Sequence, residues 1–156
     1  MVADYDHVYT ARLRVEGYLD ALRAHGIQDD AGLIRLGCHS TEQAERAVHE
    51  LLALEEPPTA VFTTNNRSTA GAIRAIHSRD AQLGLVGFDD FEFADLLDPP
   101  VTVVWHDPAA LGRAAVEQLF RRLEGNNEPA MTETISSRLV VRGSGVLRSR
   151  PLLAGQ

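Results

Sequence analysis

A chain of 156 residues is long enough for one compact domain, and its 44% hydrophobic and 24% charged residues are ordinary values for a globular protein. The formal net charge of −7 makes this segment a poor binder of nucleic acid, because phosphates would be repelled. The single cysteine, Cys38, excludes an internal disulfide and a cysteine metal cluster, and we expect it to be a small buried residue. No run approaches the ~20 apolar residues of a membrane span and the first residues do not resemble a signal peptide, so we expect a cytoplasmic protein.

Two helices are predicted in the first third of the chain. Apolar residues spaced along one helical face predict a helix over about residues 9 to 25, which Gly26 ends. Ser40 and Gln43 fit a capping box, and a helical apolar series follows them and ends before Pro57. A second helix is therefore expected to begin directly after Ser40.

Two further helices are predicted in the rest of the chain. The apolar spacing of residues 70–76 predicts a third helix, and Asn66 and Asp90 are interpreted mainly as capping residues. Asp107, followed by a proline, is expected to cap a fourth helix that ends at Gly125.

Five short runs rich in β-branched and apolar residues alternate with these helices. They are residues 33–36, 59–64, 83–88, 101–105 and 138–142. After the third run, residues 91–97 are expected to form one or two helical turns. Strands that alternate with helices pair in parallel through right-handed crossovers, which predicts a three-layer α/β fold with a parallel sheet.

Polar residues follow three of these strands at the point where each strand ends. We expect Asn65, Asp89 and His106 to gather at one edge of the sheet, because ligands bind beyond the carboxyl ends of strands in open parallel sheets. An amide and a carboxylate could grip a vicinal diol of a sugar, whereas the alternative is that Asn65 and Asp89 only form turns and helix caps. Arg14, in the first helix, could reach the same edge and bind a hydroxyl or carboxylate with its planar guanidinium.

The chain offers little for other chemistries. Its six histidines show no metal-ligand spacing, no G-x-S-x-G nucleophile motif occurs, and the glycines around Ser144 are too few for a dinucleotide loop. The sequence therefore predicts a protein that is not an enzyme and that carries neither a metal nor a cofactor.

Six segments, in order and with matching spacing, resemble successive signatures of the LacI/GalR (lac repressor) family of bacterial transcriptional regulators. They are RLRVEGY at 12–18, PPTAVFTTN at 57–65, VGFDD at 86–90, DPPVTVV at 98–104, LGRAA at 111–115 and SRLVVRGS at 137–144. The resemblance extends over most of the chain, from about residue 8 to residue 145.

The resemblance implies an architecture and a set of effector contacts. Members of that family join a helix-turn-helix head to a two-lobed core similar to periplasmic sugar-binding proteins, and an effector between the lobes controls operator binding. Arg14, Asn65 and Asp89 match positions that contact the effector in the family. His39 falls where an aromatic residue often stacks on the ligand, and His106 falls at a polar position that faces the cleft.

The chain departs from the family in three respects. Asn66 stands where aspartate is usual, and the connection across residues 76–83 is shorter than usual. The head and most of the N-terminal lobe have no counterpart, so we interpret residues 1–148 as a fragment of the sensor domain, mainly its C-terminal lobe of the type I periplasmic-binding-protein-like fold. Residues 107–135 are expected to pack on the missing lobe, and residues 149–156 to form a flexible tail.

The sequence therefore predicts the effector-binding core of a LacI-type regulator. We expect a small polar effector, a sugar by analogy, a homodimer formed through surface helices and residues 91–97, and operator binding only through the absent head. The first alternative is a periplasmic sugar-binding protein of a transport system. The second is an α/β enzyme that uses Asp89 or Asp90 as an acid or base.

Overall fold

The computed structural model describes residues 1–146, so the predicted tail at 149–156 lies outside the described residues. The strands are Ala60–Thr63 (β1), Gly84–Phe88 (β2), Thr102–His106 (β3) and Ser137–Val140 (β4), and the helices are Tyr9–Ala24 (α1), Thr41–Leu52 (α2), Asn66–Arg79 (α3) and Pro108–Leu123 (α4). Within the described part of the chain, no helix is both long enough and apolar enough to cross a membrane.

The strands form one sheet in the order β1-β2-β3-β4. β1, β2 and β3 are parallel, with Val61 opposite Leu85 and Gly87 opposite Val103. The start of the chain extends this parallel arrangement, because Val2 forms parallel bridges to both Arg35 and Thr63. The predicted α/β fold with a mainly parallel sheet is confirmed.

β4 runs antiparallel to β3, which corrects the expectation that the whole sheet is parallel. A parallel return requires a crossover connection, usually a helix that covers the sheet. α4 connects β3 to β4 but buries none of its side chains within the described chain. Because α4 does not cross over the sheet, the chain returns beside β3 in the opposite direction.

Two short segments also differ from their predictions. Leu33 ends one turn of 3-10 helix, Ala31–Leu33, and Arg35 makes only a single bridge, so the predicted strand at 33–36 is reduced to one paired residue. Residues 91–97 form successive turns instead of a helix, and Phe93 has a φ of +69° that a helix does not allow. In segments this short, long-range contacts outweigh local propensity.

The helix ends follow the sequence signals with one exception. The capping box of Ser40 and Gln43 is formed with both hydrogen bonds, and Gly26 has the positive φ, +67°, of a helix-ending glycine. The exception is α3, where Asn65 caps the helix and Asn66 is already its first residue. The Asn65 Oδ1 atom accepts a hydrogen bond of 2.8 Å from the backbone amide of Ser68.

Helices lie on both faces of the sheet, which gives the predicted three layers. Thr63 of β1 faces α3, and its Oγ1 atom lies 2.7 Å from the Oγ1 atom of Thr69. Phe62 precedes it and points to the opposite face, where its ring stacks with Tyr18 of α1 at a centroid distance of 6.4 Å. α1 therefore lies on one face of the sheet, although Ala11 is its one buried residue.

The hydrophobic core lies between the other face of the sheet and the pair α2–α3. Val48 and Leu51 of α2 and Ala72 of α3 meet Leu85 of β2 in one cluster of buried side chains. Cys38 is buried in the same cluster, as the sequence predicted.

Gly71 allows α3 to approach α2 closely, and its replacement tests this packing. A Cβ atom at position 71 would lie 2.4 Å from the backbone oxygen of Thr41 and 2.7 Å from Ala44 Cβ. We expect Gly71→Ala to lower the free energy of unfolding by about 1–3 kcal/mol, because the two helices must separate. The matched control is Gly112→Ala in α4, where nothing lies within 4 Å.

The control should leave the free energy of unfolding unchanged or raise it by up to ~1 kcal/mol, since alanine is the better helix former. Urea unfolding followed by circular dichroism measures both changes. Equal losses in the two variants would contradict the close approach of α2 and α3.

Candidate functional site

The carboxyl ends of the parallel segments lie together at one edge of the sheet, which we call the carboxyl edge. Asp4 follows the segment that contains Val2, Asn65 follows β1, Asp89 follows β2, and His106 ends β3. Ligands of open parallel sheets bind at such an edge, because the loops there present unpaired polar groups to a crevice. Asn65, Asp89 and His106, which the sequence predicted at one edge of the sheet, therefore share one region of the molecule.

Arg14 reaches the carboxyl edge from the first turns of α1. Its Nη1 atom donates a hydrogen bond to the backbone oxygen of Thr64 and lies 3.9 Å from Asp89 Oδ2. Its guanidinium carbon lies 3.7 Å from the centroid of the Phe88 ring, a cation–π contact. Burial lowers the pKa of the Arg14 guanidinium below its ordinary value, and the neighbouring Asp89 carboxylate partly offsets that effect.

Asp89 lies between Arg14 and His106. The Asp89 Oδ1 atom is 3.4 Å from His106 Nδ1, yet this buried oxygen has no hydrogen-bond partner among residues 1–146. The Asp89 backbone has a φ of +70°, a left-handed conformation that costs a non-glycine residue roughly 1 kcal/mol. The structure thus holds a carboxylate in a strained backbone position with hydrogen-bonding capacity left over.

Asn65 lies at the same edge as this group and also caps α3. Its Oδ1 atom caps α3, so the amide NH2 group is the donor that Asn65 can offer to a ligand. The interpretation of Asn65 as a helix cap is therefore correct, and it does not prevent Asn65 from donating a hydrogen bond.

His39 lies apart from Arg14, Asp89 and His106, among residues that the sequence reasoning missed. Its Nδ1 atom is 3.1 Å from both carboxylate oxygens of Asp4, and its ring stacks with Tyr5. Asp4 and Tyr5 follow an extended segment of only three residues, which is too short to show strand alternation. The available signal was the polar run that begins at Asp4 directly after apolar residues.

The comparison with known proteins identifies the fold and its family. The sequence matches the profile of the periplasmic binding protein-like domain family over residues 1–145. The chain belongs to this family. The match includes every residue of the carboxyl edge described above, so the site lies entirely within the periplasmic binding protein-like domain.

Relatives of this periplasmic binding protein-like domain are LacI-family repressors, which confirms the resemblance found in the sequence. The repressor CytR of Escherichia coli (strain K12) is 29% identical over 147 residues, which are 92% of this chain and 43% of CytR. A LacI-family regulatory protein from Chloroflexus aggregans is 27% identical with a TM-score of 0.83, over 94% of this chain and 54% of that one. The transcriptional regulator CelR, in a complex with cellobiose, is 26% identical with a TM-score of 0.84, over 92% of this chain and 46% of that one. The chain spans less than half the length of CytR.

An ion pair next to Asp89 fixes the end of β2 in the periplasmic binding protein-like domain. Arg142, just beyond β4, donates hydrogen bonds of 2.9 and 2.8 Å to the two carboxylate oxygens of Asp90 and a third to the backbone oxygen of Val101. The hydrogen bonds from Arg142 hold the pKa of the Asp90 carboxyl below its ordinary range. Asp90 is therefore a structural anchor for the turn that carries Asp89, and not mainly a helix cap as predicted.

The Asp90–Arg142 pair predicts a pH dependence of stability. Because the pKa of Asp90 is lower in the folded protein than in the unfolded chain, the pair stabilises the fold above the ordinary aspartate pKa of 3.8. That contribution is lost as the pH falls through the lower, folded-state value, whereas Arg142 remains charged throughout. We expect Arg142→Ala to lower the free energy of unfolding by about 1–2 kcal/mol at neutral pH, and by progressively less as the pH falls below the ordinary aspartate pKa of 3.8.

Arg113→Ala is the matched control, because Arg113 forms a longer, more exposed ion pair of 3.6 Å with Asp107. Its effect on the free energy of unfolding should be close to zero at neutral pH and in acid. Urea unfolding under both conditions measures these differences. A loss on Arg142→Ala that is the same in acid as at neutral pH would show that the ion pair is not its cause.

Proposed function

We propose that the chain is the effector-binding core fragment of a LacI-type transcriptional regulator, and that it binds a small polar effector, a sugar, at the carboxyl edge. The observation that carries the proposal is the Asp89 carboxylate, which lies 3.9 Å from Arg14 and 3.4 Å from His106 without a hydrogen bond at its buried Oδ1 atom. A sugar hydroxyl can donate to a carboxylate and accept from a guanidinium at the same time. The three side chains therefore form a group suited to hydroxyl recognition.

The other two predicted contacts extend this group along the carboxyl edge. Asn65 contributes an amide NH2 donor, and His39 contributes an imidazole oriented by Asp4. Nothing in this set requires turnover, so we propose a binding protein that uses neither a metal nor a cofactor. The relatives named above are a transcriptional repressor and two regulatory proteins, which favours a cytoplasmic regulator over a periplasmic transport protein and over an enzyme.

We further propose that α4 and the following residues, up to 135, pack on a second lobe of the full-length core. α4 carries a series of large apolar side chains that are each about half exposed or more. The exposed residues are Leu111, Val116, Leu119, Phe120 and Leu123. Exposed apolar surface of this extent is typical of a docking face. The full-length relatives are more than twice as long as this chain, so they contain enough residues for such a lobe.

With both lobes present, the effector would act by shifting the balance between two arrangements of the lobes. The ligand favours the lobe arrangement in which it makes the better contacts, and the DNA-binding heads respond to that arrangement. We propose that the full-length protein acts as a homodimer, with surface helices and residues 91–97 in the interface. Operator DNA would be contacted only through the heads.

The site assignment predicts separable effects of mutation in the full-length protein. We expect Asp89→Ala and Arg14→Ala each to abolish the response to effector while operator binding survives, because both residues lie in the sensor and not in the head. A reporter gene under an operator selected by the full-length protein, tested with a panel of sugars, measures the response. Gel-shift assays measure operator binding.

Asp20→Ala and Arg12→Ala are matched controls for these two variants. Both residues lie on α1 with exposed side chains, and their ion pairs, to Arg23 and Glu16, are local pairs along the same helix. They should leave the effector response unchanged. An Asp89→Ala repressor that still responds fully to its sugar would refute the proposed site.

The docking face on α4 predicts how the 156-residue chain behaves in solution. We expect the chain to bind a hydrophobic dye or to self-associate, and the triple variant Leu111→Gln, Leu119→Gln, Leu123→Gln to lose most of either effect. The control triple variant replaces Ile27, Leu36 and Leu54, which are also exposed but lie outside α4 and outside residues 91–97. A monodisperse monomer by light scattering that binds no dye would count against the docking face.

A further inference from the structure

A cavity of about 240 Å³ lies at the end of the sheet opposite the carboxyl edge. It is bounded by the last turns of α3, the residues at the starts of β2 and β3, and the segment just after β4. Its floor is apolar and consists of Ile73, Ile76, Leu83, Leu85, Leu97 and Val101. A cavity of ~150 Å³ with such a lining is large enough to bind benzene. This cavity therefore has room for one ring and a short side arm.

The floor of the cavity is buried and held in place by hydrogen bonds. Leu83, Leu85 and Val101 are all buried. Ser144, just beyond β4, donates a 2.6 Å hydrogen bond from its Oγ atom to the backbone oxygen of Leu85 and accepts one of 2.8 Å from the backbone amide of Thr102. The backbone amide of Leu85 in turn donates a 2.7 Å hydrogen bond to the backbone oxygen of Ser144. Because the starts of β2 and β3 are tied together in this way, a ligand meets a surface that is already ordered, which lowers the entropic cost of binding.

The polar residues of the cavity lie at its rim and favour a positively charged group. They are the exposed residues His77, Asp80, Gln82 and Asp98. Among the lining residues that the structure describes, only the His77 imidazole can become positively charged. The C-terminal end of α3, which reaches the rim, adds the partial negative charge of its last carbonyl groups. Both aspartates also take part in other interactions, so we expect charge to contribute a modest part of the affinity.

We propose that this cavity is a second ligand site, for a small cation that consists of one apolar ring and an ammonium group on a short arm. The ring lies on the buried floor, and the ammonium group lies at the rim with the carboxylates of Asp80 and Asp98. Ligands of open α/β sheets bind at the carboxyl ends of the strands, and this cavity lies at the other end. Leu83 and Asp89 flank β2 at its two ends, so the second site is separate from the sugar site and does not depend on it.

The test compares four probes that differ in ring and charge on the 156-residue chain. They are benzylamine, benzyl alcohol, benzoate and methylamine, and dissociation constants come from titrations followed by amide chemical shifts in NMR spectra. We expect benzylamine to bind about 2- to 5-fold more tightly than benzyl alcohol, the gain typical of one partly exposed ion pair. Benzoate should bind more weakly than benzyl alcohol, and methylamine at least ~10-fold more weakly than benzylamine, because methylamine buries no ring.

Ala81→Leu tests whether the probes bind in the cavity. Ala81 is a half-buried lining residue, so a leucine there occupies part of the space and should weaken benzylamine at least ~10-fold. The matched control is Ala24→Leu, at the exposed end of α1, which should leave every dissociation constant unchanged. Asp89→Ala, beyond the other end of β2, should likewise bind benzylamine as the unaltered chain does.

Asp98→Asn tests the charge at the rim without changing the size of the side chain. It should remove most of the preference for benzylamine over benzyl alcohol and leave the binding of benzyl alcohol unchanged. Asp20→Asn, which neutralises an exposed carboxylate on α1, is its control and should keep the preference.

The outcomes separate the site from the class of its ligand. Binding of benzylamine that survives Ala81→Leu, or the absence of binding by all four probes, would overturn the second site. If benzyl alcohol or benzoate binds as tightly as benzylamine, the cavity binds rings but the proposed cationic ligand is wrong. Binding that weakens as the protein concentration rises would show that a second copy of the chain occupies the cavity, and would also overturn the proposal.

Discussion

The parallel pairing of the segment at Val2 with β1, β2 and β3 is the constraint on which the candidate site depends. Parallel strands end at a common edge, so four separate parts of the sequence deliver Asp4, Asn65, Asp89 and His106 to one region. These residues are far apart in the sequence, and only the pairing of the strands brings them together. A change of register by one residue would turn each strand's side chains to the other face and separate these four polar residues.

Features that depend on a few neighbouring residues were predictable from the sequence. The capping box at Ser40, the cap at Asp107 and the helix stop at Gly26 use hydrogen bonds or a φ angle within one turn, and all three were predicted correctly. Features that depend on residues far away in the sequence could not be predicted. β4 runs antiparallel to β3 after a helix, α4, that does not cover the sheet. No local pattern in residues 138–142 indicates this strand direction.

The same distinction applies to the candidate site. The rule for ligand crevices and the family resemblance placed Asn65, Asp89 and His106 at one edge, as the structure does. Asp4 and Tyr5 were not predicted as site residues, because the segment before them has only three residues and is recognisable as a strand only by its bridges to Arg35 and Thr63. The anchoring of Asp90 by Arg142 joins residues 52 positions apart, so sequence reasoning assigned Asp90 to a local cap instead.

The position of His106 links the proposed site to the proposed docking face. His106 is the last residue of β3, one residue before the Asp107 cap of α4, and its Nδ1 atom lies 3.4 Å from Asp89. A ligand hydroxyl that contacts Asp89 and His106 would therefore act directly beside the start of α4. If α4 carries the second lobe, a small movement of His106 is transmitted to that lobe through one peptide and a capped helix. Differential contact at this point is the physical requirement for an effector to shift the balance between two lobe arrangements.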